Sequence, residues 1–154
     1  MMRAGNAMYR LRRDAIILDM KANTKEAALR ELAGIAATLA GRFTEETFYN
    51  ILLDRENIGS TGVGNGVAIP HGKIDSLDET LVCFGRSRDG VNFDAIDNRP
   101  VHLFVVIFSP THEGEEYLQT LASVRRMLKQ PGRRQKLFNG SDHDAIIDVF
   151  TTWK

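Results

Sequence analysis

The sequence predicts an α/β domain in which a mixed β-sheet is sandwiched between helices on both faces. Three observations carry that prediction. Helical and strand periodicities interleave along the chain, the pattern of a sheet covered by the helices that connect its strands. Residues 101–108, VHLFVVIF, are almost wholly apolar, as a strand buried on both faces must be. A hydrophobic content of 43% over 154 residues suits one core rather than two, and no repeat, linker or low-complexity tract divides it.

Taken in order, residues 1–14 mix Arg3, Arg10, Arg12 and Arg13 with small residues and show no sustained period, which predicts a loosely ordered N-terminal segment before a domain over 15–154. Residues 15–20 read as a short strand. Asn23, with Glu26 three residues on, resembles a capping box for a helix whose apolar positions are Ala28, Leu32, Ile35, Ala36 and Leu39, stopped by Gly41. Thr44 can cap a second helix. Phe48, Ile51, Leu52 and Arg55 share one stripe of it, which brings Arg55 to its end.

Residues 80–85 are apolar enough for a strand, with Cys83 as a small core residue, whereas residues 86–89 are too polar for the core. Turn signals at Asp89-Gly90 and Asp97-Asn98 precede the central strand over 101–108, where His102 reads as a packed residue. A loop over 109–114 opens a helix with apolar Leu118, Leu121, Ala122, Val124 and Leu128, ended by Pro131-Gly132. Residues 133–138 form a further short helix stopped by Gly140. Ser141, with Asp144, caps the last one, which carries Ile146, Ile147, Val149 and Phe150.

Composition removes several function classes. Twenty basic and twenty acidic residues cancel, so no global field draws the chain to nucleic acid or to an anionic membrane. The single cysteine excludes an internal disulfide and fits a reducing compartment. No apolar run reaches the ~18 residues of a membrane span, and the N-terminal arginines are followed by no signal core, so a cytoplasmic protein is expected. The four histidines, His71, His102, His112 and His143, form no metal-binding pair at helical spacing, and no metal or cofactor is expected.

The run from Gly59 to Lys73, GSTGVGNGVAIPHGK, packs five glycines and small polar residues before one histidine. Such density predicts an oxyanion cradle or tight turns. Val67-Ala68-Ile69 reads as a brief buried strand, and Pro70 stiffens the chain so that His71 is held. The Walker spacing fails at Val67 and Ile74, and the dinucleotide fingerprint fails at Val67, which disfavours nucleotide binding. A neutral imidazole is a competent nucleophile at neutral pH. Phosphoryl transfer asks the protein only to align the group and stabilise its oxygens. An arginine fork suits that task, and Arg55 stands at the entrance to the run.

The string from Asn57 to Lys73, with its Ile69-Pro70-His71-Gly72 motif, and the segment FDAIDNRPV over 93–101 resemble the fructose/mannitol (type 2) enzyme IIA domain of the phosphoenolpyruvate-dependent sugar phosphotransferase system. The resemblance spans residues 15–150. It implies that His71 accepts a phosphoryl group, on the ring nitrogen farther from the backbone, from a histidine-containing phosphocarrier protein, and passes it to an enzyme IIB. It implies that Arg55, sixteen residues before His71, stabilises the group. Ser60, Thr61, Gly62, Gly64, Asn65 and Gly66 would cradle its oxygens.

One departure stands out. The family pattern places a second histidine in a sequence like E-E-H-L, where this chain reads Glu115-Glu116-Tyr117-Leu118; His112 lies at the wrong offset to replace it. Tyr117 therefore takes the second histidine's place, and forward relay is less secure than acceptance. The residues include no sugar channel and no enzyme IIB domain, so the domain is free-standing or excised from a larger protein. The family holds sugar-transport relays and a nitrogen-related, single-domain regulatory branch. The altered partner histidine leans toward the latter. The contrasting expectation is an interaction module that kept the fold and lost phosphorylation.

Overall fold

The structure, a computed structural model, describes residues 11–152. A 3-10 turn at Arg13–Ala15 leads into β1 (Ile16–Ile17), α1 (Lys25–Leu39), α2 (Glu45–Ile58), β2 (Gly62–Gly64), β3 (Val67–Ala68), β4 (His71–Ile74), β5 (Leu81–Val91), β6 (Val101–Pro110), α3 (Gly114–Leu128), α4 (Pro131–Asn139) and α5 (His143–Thr151). Most of the expected loose N-terminal segment lies outside the described residues. Its last part is packed, since Leu11 is buried and the 3-10 turn starts before residue 15.

The apolar run at 101–108 is the axis of the sheet. The strand order is β1-β5-β6-β3-β2, and β4 also pairs with β6. β5 runs antiparallel to β6, while β3 and β4 run parallel to it, so the sheet is mixed as predicted. β3 and β4 share one edge of β6 in unbroken register, with Val67 opposite Leu103, Ala68 opposite Phe104 and His71 opposite Ile107. They are one strand interrupted at Pro70, which has no N–H to give; its carbonyl still accepts from Ile107 N at 3.0 Å.

Strand alternation shows that helices cover both faces. Phe108 meets Phe48 of α2 with ring centroids 4.6 Å apart, and a Cβ at Gly85, on the same face, would press on Leu32 of α1. Phe84, on the opposite face, meets Phe150 of α5 at 6.1 Å. Among the described residues no helix is long and apolar enough to cross a membrane.

Thr44 caps α2 as expected, accepting from Thr47 N. Elsewhere the caps lie one residue from the sequence reading. Thr24 rather than Asn23 caps α1, accepting from Ala27 N, and Asp142 rather than Ser141 caps α5, accepting from Ala145 N. Pro131 opens α4 instead of ending α3, as its fixed φ and missing N–H allow at a first helical position. The buried face of α3 carries Tyr117, Thr120, Ser123, Val124 and Met127, while Leu118 is 65% exposed. Apolar periodicity misjudged that face because two of its positions are small hydroxyl residues.

The largest correction is at residues 86–89, which continue β5 to Val91 through a bulge. Arg86 is only 1% exposed. Its Nε donates to Leu18 O at 3.0 Å, and its Nη1 donates to the carbonyls of Leu137, Phe138 and Gly140 at 3.1, 3.3 and 2.6 Å. A cation thus satisfies the exposed carbonyls at the end of α4 and ties that helix to the sheet. Arg86→Met keeps the aliphatic bulk and orphans those carbonyls. It is expected to lower unfolding free energy by about 2–3 kcal/mol in urea titration; an unchanged midpoint would show the cap to be dispensable.

Candidate functional site around His71

His71 begins β4, and its placement starts from its neighbour. A Cβ on Gly72 would lie 2.3 Å from Cγ2 of Ile51, so only glycine lets α2 lie this close to β4. One helical turn after Ile51, that approach brings Arg55 to the imidazole. Arg55 Nε donates to His71 Nε2 at 3.3 Å, and Arg55 Nη1 donates to Gly59 O at 2.8 Å, anchoring the guanidinium at the end of α2.

The other ring nitrogen, Nδ1, lies 2.7 Å from Ile69 O. A carbonyl only accepts, so the proton of the neutral ring sits on Nδ1 and the lone pair sits on Nε2. Burial lowers the His71 pKa below its ordinary value. The Ile69 carbonyl opposes this, Arg55 and Arg125 lower it further, and Glu56 raises it. The ring is therefore a neutral nucleophile at pH 7, aimed by its backbone bond.

Tyr117 stands beside it, with ring centroids 5.9 Å apart and planes tilted by 59°. The contact is ring to ring; both hydrogen bonds of the imidazole go to Ile69 and Arg55. Burial pushes the Tyr117 phenol up to about 12, with Arg55 opposing, so the hydroxyl stays a neutral donor at physiological pH. Lys73 Nζ lies 5.2 Å from the same ring.

The glycine-run residues go elsewhere. Thr61 N and Oγ1 donate to the buried carboxylate of Glu56, Gly62 N donates to Ser60 Oγ, and Ser60 Oγ donates to Phe93 O. Asn65 N donates to Asp97. Gly64, Asn65 and Gly66 make the β2–β3 turn, all at positive φ. Val67 pairs four residues earlier along β6 than His71 does, so this turn lies roughly 13 Å from the imidazole. It does not cradle a group on His71. Instead the hairpin and Arg125 line a cavity of about 610 Å³. His112 is exposed and pairs with Glu113, and His102 Nδ1 bonds Ser87 O.

The site thus unites Arg55, His71 and Tyr117 and adds Lys73, Arg125 and Glu56, which the sequence reading did not single out. The family described as "Phosphoenolpyruvate-dependent sugar phosphotransferase system, EIIA 2" matches residues 10–153. The chain belongs to this family. It is 38% identical over 136 residues to a nitrogen regulatory protein of Bradyrhizobium diazoefficiens, spanning 88% of each chain. It is 36% identical to a fructose-specific EIIA component of Haloferax volcanii, again over 88% of each. Nitrogen regulatory protein IIA-Ntr of Neisseria meningitidis superposes with TM-score 0.87 at 29% identity, covering 91% of this chain and 95% of that one. Enzyme IIA mannitol of Escherichia coli, in a structure with phosphorylated enzyme IIB, superposes with TM-score 0.74 at 25% identity over 90% and 94%.

Gly72→Ala is expected to cost about 1–3 kcal/mol by overpacking. Adding Ile51→Ala should return part of that loss, and strictly additive effects in the double-mutant cycle would contradict the contact. His71 should titrate below about 6.5 in an NMR pH series. Because its folded pKa is depressed, its contribution to stability is complete above about 6.5 and is lost as pH falls through the folded value. Titration above that value would contradict the burial argument.

Proposed function

We propose that the protein is a phosphohistidine carrier in which His71 Nε2 accepts a phosphoryl group from a histidine-containing phosphocarrier protein. The Nε2 lone pair attacks phosphorus, the bond from phosphorus to the donor's imidazole nitrogen breaks, and its electron pair returns to that nitrogen. The proton stays on Nδ1, donated to the Ile69 carbonyl, so the nucleophile needs no general base. The single observation that carries this reading is the pairing of Nδ1 with Ile69 O and of Nε2 with Arg55, which selects the tautomer and puts a guanidinium where phosphate oxygens would sit.

On acceptance Arg55 turns from Nε2 to the phosphoryl oxygens while Nη1 keeps its hold on Gly59 O. Lys73 and Arg125 add positive charge, and Tyr117 offers a neutral hydroxyl. These residues take the place that the sequence reading gave to the Gly64–Gly66 turn. The apolar side chains of Ile58, three residues after Arg55, and of Leu118, next to Tyr117 in sequence, are 83% and 65% exposed, giving a partner protein a surface to cover.

The group then passes to an enzyme IIB, or its presence switches a regulatory partner in the cytoplasm. Relatives named nitrogen regulatory proteins and the tyrosine at position 117 favour the regulatory use. A phenol held near pKa 12 cannot carry the positive charge that a histidine could share with the phosphoryl group.

Incubation with phosphoenolpyruvate, enzyme I and the phosphocarrier, read by intact mass, should add one acid-labile phosphoryl group to the wild type and none to His71→Ala. Arg55→Ala should slow acceptance by about ten- to a hundredfold, with partial recovery in Arg55→Lys. Persistence of the adduct in His71→Ala would overturn the assignment. No adduct on the wild type would leave the fold as an interaction module.

A further inference from the structure

Glu56 is the only buried acid among the described residues, 6% exposed, and it sits in the last turn of α2. A negative charge there faces the negative end of the helix dipole, so the helix itself gives no reason for it. Burying it demands full pairing. Lys25, the first residue of α1, supplies an ion pair, with Nζ 3.0 Å from Oε1. Thr61 donates its backbone N–H at 3.1–3.2 Å and its hydroxyl as well. Two helices and the entrance of the glycine run are thereby pinned to one carboxylate.

The connection continues to His71. Thr61 O accepts from Ile69 N at 3.0 Å, and Ile69 O is the group that holds Nδ1 of His71. The Ile69 N–H and C=O lie in successive peptide planes; Pro70 restricts Ile69 to extended backbone and Pro70 O accepts from Ile107 N, so holding the Ile69 amide also limits where its carbonyl points. We propose that Glu56, braced by Lys25, is a positioning residue for His71, acting through Thr61 and Ile69 to hold the imidazole with its lone pair on Nε2. Its consequence for transfer rests on the phosphocarrier reading above; its consequence for the ring does not.

The charged groups acting on His71 are Arg55 and Glu56 from α2 and Arg125 from α3; the Tyr117 ring of α3 packs beside it, and Lys73, on its own strand, lies over that ring. Glu56 is the anionic one and favours the protonated ring. Glu56→Gln removes that charge and weakens the hold on Thr61, whereas Thr61→Val removes one hydrogen bond and leaves the Lys25–Glu56 pair. Thr61→Ser keeps every bond.

The test compares wild type, Glu56→Gln, Thr61→Val and Thr61→Ser by long-range proton–nitrogen NMR of the His71 ring, with no phosphoryl donor. Wild type and Thr61→Ser should show a proton on Nδ1 alone; Glu56→Gln and Thr61→Val should show averaging between the two tautomers. With phosphoenolpyruvate, enzyme I and the phosphocarrier, the maximal rate of acceptance should fall by about ten- to a hundredfold in the two disrupted variants. The phosphocarrier concentration for half-maximal rate should stay within twofold of wild type, because the docking surface is untouched.

Wild-type tautomer in both disrupted variants would overturn the proposal. If Glu56→Gln fails to fold, Thr61→Val decides. A wild type that never takes phosphate removes the carrier reading and leaves the ring measurement to judge Glu56 alone.

Discussion

The hydrogen bond between His71 Nδ1 and the Ile69 carbonyl is the constraint on which the rest of the site depends. It spans only two residues, yet it requires three features of the fold. Ile69-Pro70 must break the strand between β3 and β4 without shifting its register on β6, so that the ring turns back onto its own chain. The Ile69 amide must be held from the far side, which Thr61 does. Finally, α2 must approach closely enough to bring a cation to the ring's other nitrogen, and the bare backbone at Gly72 allows it.

The same bond explains why little conventional catalytic machinery surrounds the histidine. Keeping the proton on Nδ1 leaves Nε2 ready without a base, and desolvation keeps the ring uncharged near neutrality. In the proposed transfer the remaining problem is charge on the phosphoryl oxygens, which Arg55, Lys73 and Arg125 would offset. Tyr117 contributes shape and a neutral donor, not charge. On the proposed reading, such a site favours holding the group over driving it onward, in accord with use as a switch.

Much of this was legible in the sequence, in proportion to how local the determining physics is. The central strand followed from an apolar run, the α2 cap from Thr44, and the pairing of Arg55 with His71 from helical stripe, offset and family likeness. What failed was non-local. Arg86 reads as surface because arginine is polar, and nothing in its neighbourhood announces the three carbonyls of a helix fifty residues away that bury it. The glycine-rich run reads equally well as a cradle or as turns. Only the register on β6 shows that Gly64, Asn65 and Gly66 close a hairpin at the far end of the sheet from His71. Glu56 looked like any charged residue at a helix end, since its partners come from α1 and the following loop.

The central claim, that the fold selects Nε2 of His71 as the phosphoryl acceptor by holding the proton on Nδ1, is tested most directly on the phosphorylated protein itself. Nitrogen-15 and phosphorus-31 NMR of uniformly labelled protein, charged through phosphoenolpyruvate, enzyme I and the phosphocarrier, would locate the phosphorus atom by its one-bond coupling to nitrogen. The account predicts a single phosphohistidine, with phosphorus on Nε2 of His71 and the proton still on Nδ1. Phosphorus on Nδ1 of His71, or on His102, His112 or His143, would contradict it.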